Sequence, residues 1–422
     1  MEAMNVGFLS TRFHGTDGVS LEAAKWAQVL EHQGHRCFWF AGKLDRPPER
    51  SFHSDKAYFE HPEIIQLQNQ LFGPSTRSPE VTAQVAELTA VLKNDLHAFV
   101  ELHAIDLLIP QNILAIPMNV PLGLAVTELV EETQLPTIAH HHDFHWERDR
   151  FTVNAAEDYL GRAFPPALSK DFVHAVINTT ARDSLVERCG LRSQCVPNVL
   201  DFENAPPGGD GYGDDLREEL GIAESATLVL QPTRIVERKG IEHAIELVRQ
   251  LQERGREVVL VISHDAGDEG FEYLEQLNQQ AAAAGIRMIL AADRVAEERG
   301  TNEQGQKRYT LWDVYPHADF VTFPSLYEGF GNALLEALWF RKPLLTNRYP
   351  VYVRDIEPIG LKIVEMAGAV GTEVTSEVEA LLDDPAKVTR WAEHNYDLCL
   401  QHYSYRTLRG LLEEMMGELF EK

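Results

Sequence analysis

Residues 319–337 read DFVTFPSLYEGFGNALLEA. The first five residues, Asp319–Phe323, form a short apolar run of the kind that makes a buried strand. The last residues, Asn332 onward, have helical character. Between them lies a loop with two glycines, Gly329 and Gly331, where a backbone can approach a ligand closely. The first N–H groups of the following helix lack intrahelical partners, and the helix dipole favours an anion in front of them. Glu328 sits on the loop and Glu336 on the helix, and both carboxylates accept hydrogen bonds from hydroxyls. The group suits a ligand with a phosphate between two polyols. It also fits an ordinary strand–turn–helix connection with a surface glutamate, and spacing alone supports both.

Outward from this stretch the chain alternates strands and helices, the pattern of α/β folds. After residue 204 the strand candidates are Thr227–Leu230, Val258–Ile262, Met288–Ala291, Phe320–Phe323 and Pro343–Thr346, with helices at Ile241–Arg254, Glu269–Ala284 and Ala333–Trp339. Before residue 203 they are Val6–Ser10, Cys37–Ala41, Asp106–Pro110, Pro136–Ala139 and Val173–Asn178, with helices at Leu21–Gln33 and Leu122–Thr133. Residues 45–104 interrupt this rhythm as a helical insertion, with helices near Pro62–Leu71 and Val81–Val100. The Gly-, Pro- and Asp-rich stretch Asn204–Asp215 reads as a linker. The expected organisation is a first α/β domain over residues 1–203, a second over 204–400, and an amphipathic C-terminal helix within 401–422. Two doubly wound domains place ligands at the carboxyl ends of their strands, in the cleft between them.

Three other constellations could carry chemistry. At the end of the Thr227–Gln231 strand, Arg234 and Lys239 lie five residues apart before a helix, suited to phosphate oxygens. Arg238 beside them reads equally as a surface residue bridged to Glu237 and Glu242. Residues 139–146, AHHHDFHW, close a strand of the first half, and strand alternation puts His140 and His142 on one face. A metal site there lacks a further ligand pair to complete it. A substrate-facing role ranks above it, and a strand cap with exposed neighbours is the plain alternative. The loop FHGTDGVS, residues 13–20, carries Gly15 and Gly18 ahead of a helix, which a tight turn explains equally well.

Composition narrows the functions. The 422 residues are 44% hydrophobic and 24% charged, with a net charge of −27. Residues 1–200 hold 16 basic and 25 acidic side chains, and residues 201–422 hold 22 and 40. Neither half has the basic footprint of a nucleic-acid binder or of a protein drawn to anionic lipid. The four cysteines, at 37, 189, 195 and 399, form no Cys-x-x-Cys pair and read as reduced thiols. The sequence shows no signal peptide and no run approaching a membrane span of about 18 apolar residues. A cytoplasmic location is the expectation.

Taken together, the Glu328-x7-Glu336 motif, the Arg234…Lys239 pair, the His142-Asp143 strand end and the Gly15…Gly18 loop resemble glycosyltransferase family 4. The resemblance covers nearly the whole chain in the right order. It implies the GT-B fold, two Rossmann-like domains facing across a cleft, and a retaining, metal-independent enzyme that uses a nucleotide sugar as co-substrate and needs no cofactor. The implied catalytic set is His142, Arg234, Lys239 and Glu328. Arg234 and Lys239 would neutralise the departing diphosphate. Glu336 would accept the donor ribose hydroxyls, and Glu328 would face the hydroxyls of the transferred sugar. Gly329 and the backbone of Phe330, Gly331 and Asn332 would cradle the distal phosphate and sugar. Gly15 and Gly18 would let the N-terminal loop reach the diphosphate, and His142 would face the sugar's primary hydroxyl. Asp143 and Trp146 are the acceptor-side candidates. The C-terminal helix would cross back to the first domain.

The chain departs from the family pattern at three places. Thr179-Thr180 stand where many members carry a serine, Pro197-Asn-Val-Leu-Asp201 replaces a Pro-Asn-Gly-Val-Asp turn, and Ser263 replaces a glycine. UDP-glucose and GDP-mannose are the leading donors. The acidic first half favours a small soluble acceptor, such as a sugar, a sugar phosphate or a glycerate-like molecule in compatible-solute synthesis. Three rival readings remain: a sugar phosphorylase on the same fold, a non-catalytic sugar-nucleotide-binding protein, and a metal hydrolase built on His140 and His142.

Overall fold

The computed structural model describes residues 2–15, 17–168, 170–207, 209–266 and 271–420. The chain divides into two compact units. One comprises Met1–Asn198 with Arg406–Lys422, and the other Val199–Tyr405.

The first unit is built on seven parallel strands: β1 (Asn5–Leu9), β2 (Arg36–Ala41), β3 (Ser51–His53), β4 (Leu107–Pro110), β5 (Thr137–His141), β6 (Phe172–Val176) and β7 (Gln194–Cys195). Their order in the sheet is β3-β2-β1-β4-β5-β6-β7. The helices are α1 (Gly18–His32), α2 (Pro62–Leu71), α3 (Pro79–His103), α4 (Val120–Thr133), α5 (Glu157–Ala163) and α6 (Thr179–Cys189). The order reverses direction between β1 and β4, the switch point at which α/β sheets open a crevice.

The segment 45–104 is mostly helical, and it also contributes β3, an edge strand that pairs with β2 from Trp39↔Ser51 to Ala41↔His53. Three residues are too few to show alternation, so the strand leaves no periodic signal. The buried stripe of α3, Val81, Val85, Leu88, Leu92, Leu96 and Phe99, recurs every three to four residues and packs the helix into the core. Asn178, read as the end of a strand, caps α6 instead: its Oδ1 accepts from Ala181 N at 2.7 Å.

The second unit holds β8 (Thr227–Gln231), β9 (Val258–Ile262), β10 (Arg287–Leu290), a two-stranded hairpin of β11 (Gly300–Thr301) and β12 (Lys307–Arg308), then β13 (Phe320–Phe323), β14 (Leu344–Asn347) and β15 (Val364–Met366). Its six-stranded parallel sheet runs β10-β9-β8-β13-β14-β15. The helices are α7 (Leu216–Glu219), α8 (Ile241–Glu253), α9 (Phe271–Ala283), α10 (Leu311–Val314), α11 (Asn332–Trp339), α12 (Thr372–Leu382) and α13 (Pro385–His402). Glu269, where the sequence places the start of α9, lies outside the described residues. Strands β8, β9, β13 and β14 are buried along their whole length, because helices cover both faces of a parallel sheet. Helix α8 presents Ile241, Ala244, Ile245, Val248 and Leu251 to this core, each worth about 1.5–3 kcal/mol for the larger side chains.

The stretch Asn204–Asp215 is not a free joint. Lys307 Nζ donates to Asp215 and to Tyr212 O, Tyr309 Oη donates to Asp215, Arg299 pairs with Asp210, and Trp339 Nε1 donates to Asn204 O. Its partners come from residues far along the chain, which local composition does not reveal. The last helix, α14 (Tyr405–Phe420), belongs to the first unit, where Gln33 Nε2 donates to Glu413 Oε1 at 2.7 Å. No helix among the described residues is long and apolar enough to cross a membrane.

Candidate active site

In the second unit the carboxyl ends of β8 and β13 carry two loops that are stitched together. Leu326 N donates to Arg238 O at 2.8 Å. Gly240, at φ 59°, lies so close to β13 that a Cβ there would sit 2.6 Å from Pro324 O. This contact seats the turn Glu237–Lys239 against the loop 324–331. Lys239 Nζ forms an ion pair with Glu328, and Arg238 Nη1 reaches the other carboxylate oxygen at 3.0 Å. Both Lys239 and Glu328 side chains are about nine-tenths covered.

Burial pushes the Glu328 carboxyl up, but the adjacent Lys239 and Arg238 charges outweigh it and hold the group below the usual carboxylate range. Burial lowers the Lys239 ammonium; Glu328 opposes that shift, and the Arg238 and Arg234 charges reinforce it. Arg238 is therefore not bridged to Glu237 and Glu242. Glu242 instead accepts from Tyr273 Oη. The signal that could have found Arg238 is its place between Arg234 and Lys239 in one short turn.

Arg234 is exposed and forms no ion pair with any described residue. Its charge, with that of Lys239, reaches His264 at the end of β9. Burial, aided by those two cations, lowers the His264 imidazole to about 4. Ser263 Oγ lies 2.8 Å from His264 Nδ1. In the sequence Ser263 stands out only as a departure from the family pattern, and no motif marks His264.

Beyond Glu328 and Gly329 the loop leads into α11 through Gly331, at φ 135°. Its carbonyl accepts from Leu334 N and Leu335 N at 3.1 and 3.2 Å. Tyr349 Oη donates to Phe330 O. One turn into α11, Glu336 accepts from Tyr315 Oη at 3.0 Å. Burial and the nearby Glu336 charge raise the Tyr315 hydroxyl well above its ordinary value, so it remains a donor. The second unit thus gathers Arg234, Lys239, Glu328, Gly329, Phe330, Gly331, Asn332 and Glu336 around two adjoining strand ends, where the side chains of Lys239 and Glu328 touch.

In the first unit, the end of β5 carries the histidines. His140 and His142 face the same way, as strand alternation requires. Gln111 Oε1 lies 2.9 Å from His140 Nδ1 and 3.4 Å from His142 Nε2, and Trp26 stacks on His140 at 4.2 Å between ring centres. His141 faces the opposite side, with its Nε2 2.9 Å from His174 Nδ1. The plain reading of a cap with exposed neighbours fails, because His140 and His141 are both buried. Burial holds both imidazoles well below their usual value, and His142 falls to about 4 for the same reason. All three are neutral at pH 7. Among the described residues no group of three or more His, Cys, Asp or Glu side chains is arranged to hold a metal ion.

Asn112 shapes the turn after β5, accepting from His142 N at 2.9 Å and donating to Asp143 Oδ1 at 2.9 Å. Asp143 also pairs with Arg148, and Trp146 Nε1 donates to Ser184 Oγ at 2.9 Å. Both acceptor-side candidates are thus engaged within their own unit. In the N-terminal loop the two glycines differ. Gly15 N donates to Asp45 Oδ2 at 2.8 Å. Gly18 is the first residue of α1, and a Cβ there would meet nothing within 4 Å. Asp17 caps this helix by accepting from Val19 N and Ser20 N.

The chain thus holds two parallel α/β sheets, with a glycine loop and a buried Glu–Lys pair at the strand ends of the second. Residues 213–396 match the family described as "Glycosyl transferases group 1". The chain belongs to these group 1 glycosyltransferases, as the resemblance to family 4 implied. It is 31% identical to the mannosylglucosylglycerate synthase of Thermotoga maritima, over 97% of this chain and 99% of that protein. It is also 31% identical to the mannosylglucosylglycerate synthase of Petrotoga mobilis, over 86% of each. Among solved structures, Anabaena HepE in complex with UDP-glucose shares the fold, with a TM-score of 0.65 at 15% identity over 99% of this chain and 100% of that one.

Proposed function

We propose that this chain is a retaining hexosyltransferase that moves a mannosyl group from GDP-mannose to glucosylglycerate, a soluble hydroxyl acceptor, in compatible-solute synthesis. The observation that carries the reading is the near full-length similarity to two mannosylglucosylglycerate synthases. With a net charge of −27 the chain lacks the basic surface that would hold it at an anionic membrane lipid.

The second unit supplies the donor chemistry. As the bond to the diphosphate breaks, negative charge grows on the leaving oxygen and positive charge on the sugar ring. Arg234, Lys239 and the N-terminal N–H groups of α11 meet the growing negative charge, a preorganised electrostatic contribution. Glu328, held ionised by two cations, accepts hydrogen bonds from the transferred sugar's hydroxyls. An ionised carboxylate has no proton to donate, so Glu328 is no general acid. The departing diphosphate itself takes the acceptor's proton, and the acceptor attacks from the face the diphosphate leaves. Glu336, oriented by Tyr315, accepts the ribose hydroxyls.

In the first unit, a neutral His142 hydrogen-bonds the sugar's primary hydroxyl. Gly18 admits the diphosphate where a side chain would intrude. Nothing in the chain itself requires glycine there, since the space beside it is open. Asp143 and Trp146 remain the acceptor-side candidates.

A thermal-shift comparison of UDP, GDP, ADP and their glucose and mannose conjugates tests the donor assignment, because a ligand bound only to the folded state raises its apparent stability. GDP and GDP-mannose should give the largest shift. A shift with inorganic phosphate and with no nucleotide contradicts the assignment.

A further inference from the structure

Tyr349 follows β14 and is fully buried, yet its hydroxyl is spent on a loop of the site. Its ring packs edge-on against Phe323 at 6.1 Å and lies tilted against Tyr352 at 5.8 Å. Its Oη donates to the carbonyl of Phe330. The Phe330–Gly331 peptide is trans, the chain's single cis bond being Phe164–Pro165 among the described residues. In a trans peptide the C=O and the N–H point in opposite directions. Fixing the Phe330 carbonyl on Tyr349 therefore fixes the Gly331 N–H on the far side of the same plane.

That N–H has no acceptor among the described residues. Gly331 is itself buried, and a buried backbone N–H without a partner is rare in a folded protein. The same tyrosine sets the residue type. A Cβ at position 331 would lie 2.8 Å from Tyr349 Oη and 3.2 Å from Phe323, at φ 135°. Only glycine fits beside this hydroxyl.

We infer that Tyr349 is a positioning residue: by holding the Phe330 carbonyl, it aims the Gly331 N–H at an oxygen of the bound sugar nucleotide. The inference rests on the proposed donor site of the second unit and adds to it the side chain that orients its backbone donor. Burial, with Glu328 nearby, keeps the phenol protonated far above neutrality, so the hydroxyl donates throughout the working pH range. Without it the peptide would be free to rotate, and the N–H would lose its direction before the ligand arrives.

The test compares two buried tyrosines that differ in what their hydroxyls hold. Tyr352 Oη donates to Glu365 Oε1 at 2.6 Å, away from the Phe330–Gly331 peptide, so Tyr352→Phe removes a buried hydroxyl of equal size. Wild type, Y349F and Y352F are titrated calorimetrically with GDP-mannose and with UDP-glucose, and their melting temperatures are recorded alongside. Both variants keep the ring and are expected to fold with similar losses of Tm. Y349F should bind the nucleotide sugar about tenfold more weakly than wild type, the scale of one hydrogen bond, and Y352F should bind it as wild type does. With 15N-glycine labelling, the Gly331 amide resonance should move on ligand addition in wild type and stay in place in Y349F. Equal affinities for Y349F and Y352F, or a Gly331 resonance that moves equally in both, overturn the role of Tyr349 while leaving the donor site standing. A wild-type protein that binds neither nucleotide sugar contradicts the donor site itself.

Discussion

Lys239 and Glu328 stand 89 positions apart in the chain and meet as a buried ion pair. Two backbone devices bring them together: Gly240 against the Pro324 carbonyl, and the hydrogen bond from Leu326 N to Arg238 O. Glu328 opposes the loss of the Lys239 charge that burial favours, in a covered site at the end of two strands. An anion arriving there finds Lys239 already in place.

The cations should differ in what they cost when removed. Lys239→Ala and Arg234→Ala should each lower kcat by about a hundredfold or more, as loss of one preorganised donor does. Lys239→Ala also strips a buried carboxylate of its closest partner, so its unfolding free energy should fall by about 3 kcal/mol. Arg234 is exposed and forms no ion pair with a described residue, so Arg234→Ala should keep the wild-type Tm. Kinetics with urea denaturation separate the two, and near-normal turnover in either variant contradicts their role.

How the site came to be legible, and where it did not, follows from the range of the forces involved. Strand alternation placed His140 and His142 on one face, because a period of two is a local property. Positions of cations and glycines at strand ends were equally local. Arg238 was misplaced because its partner, Glu328, is distant in sequence and the nearby Glu237 and Glu242 offered plausible charges. The loop 204–215 looked free because its anchors, Arg299, Lys307, Tyr309 and Trp339, lie some ninety residues or more further on. Strands β3 and β7 are too short to carry a periodic signal. Tyr349 gave no signal at all, since its importance lies in one hydroxyl reaching one carbonyl.

The two loop glycines should respond in opposite ways. Gly240→Ala forces a Cβ toward the Pro324 carbonyl at a positive φ, which should cost about 1–3 kcal/mol of stability and lower kcat by displacing Lys239. Gly18→Ala meets open space at the start of α1, so its Tm should equal or exceed that of wild type. Its donor KM should nonetheless rise, because the methyl group occupies the approach to the diphosphate. An unchanged KM removes Gly18 from the site.

The histidines make the first unit sensitive to acid. His142 and His174 fall to about 4 through burial, and His140 and His141 lie well below their usual value. In the unfolded chain each would take up its proton near pH 6.5. Between about pH 6.5 and 4 the unfolded state binds more protons than the folded one, so stability falls as pH falls, by up to about 1.4 kcal/mol per pH unit for each histidine. Above about pH 7 these groups contribute no slope. Urea denaturation at half-unit pH steps should show the decline beginning near 6.5, and a profile flat down to pH 5 contradicts neutral burial of the cluster.

The proposed reaction transfers a mannosyl group with retention at its anomeric carbon. Proton NMR of a mixture of GDP-mannose, glucosylglycerate and the purified protein follows that carbon directly. The first-formed product should carry a new mannosyl linkage that keeps the α configuration of the donor, with GDP released in step. A β-linked first product, or no transfer from GDP-mannose to glucosylglycerate, contradicts it.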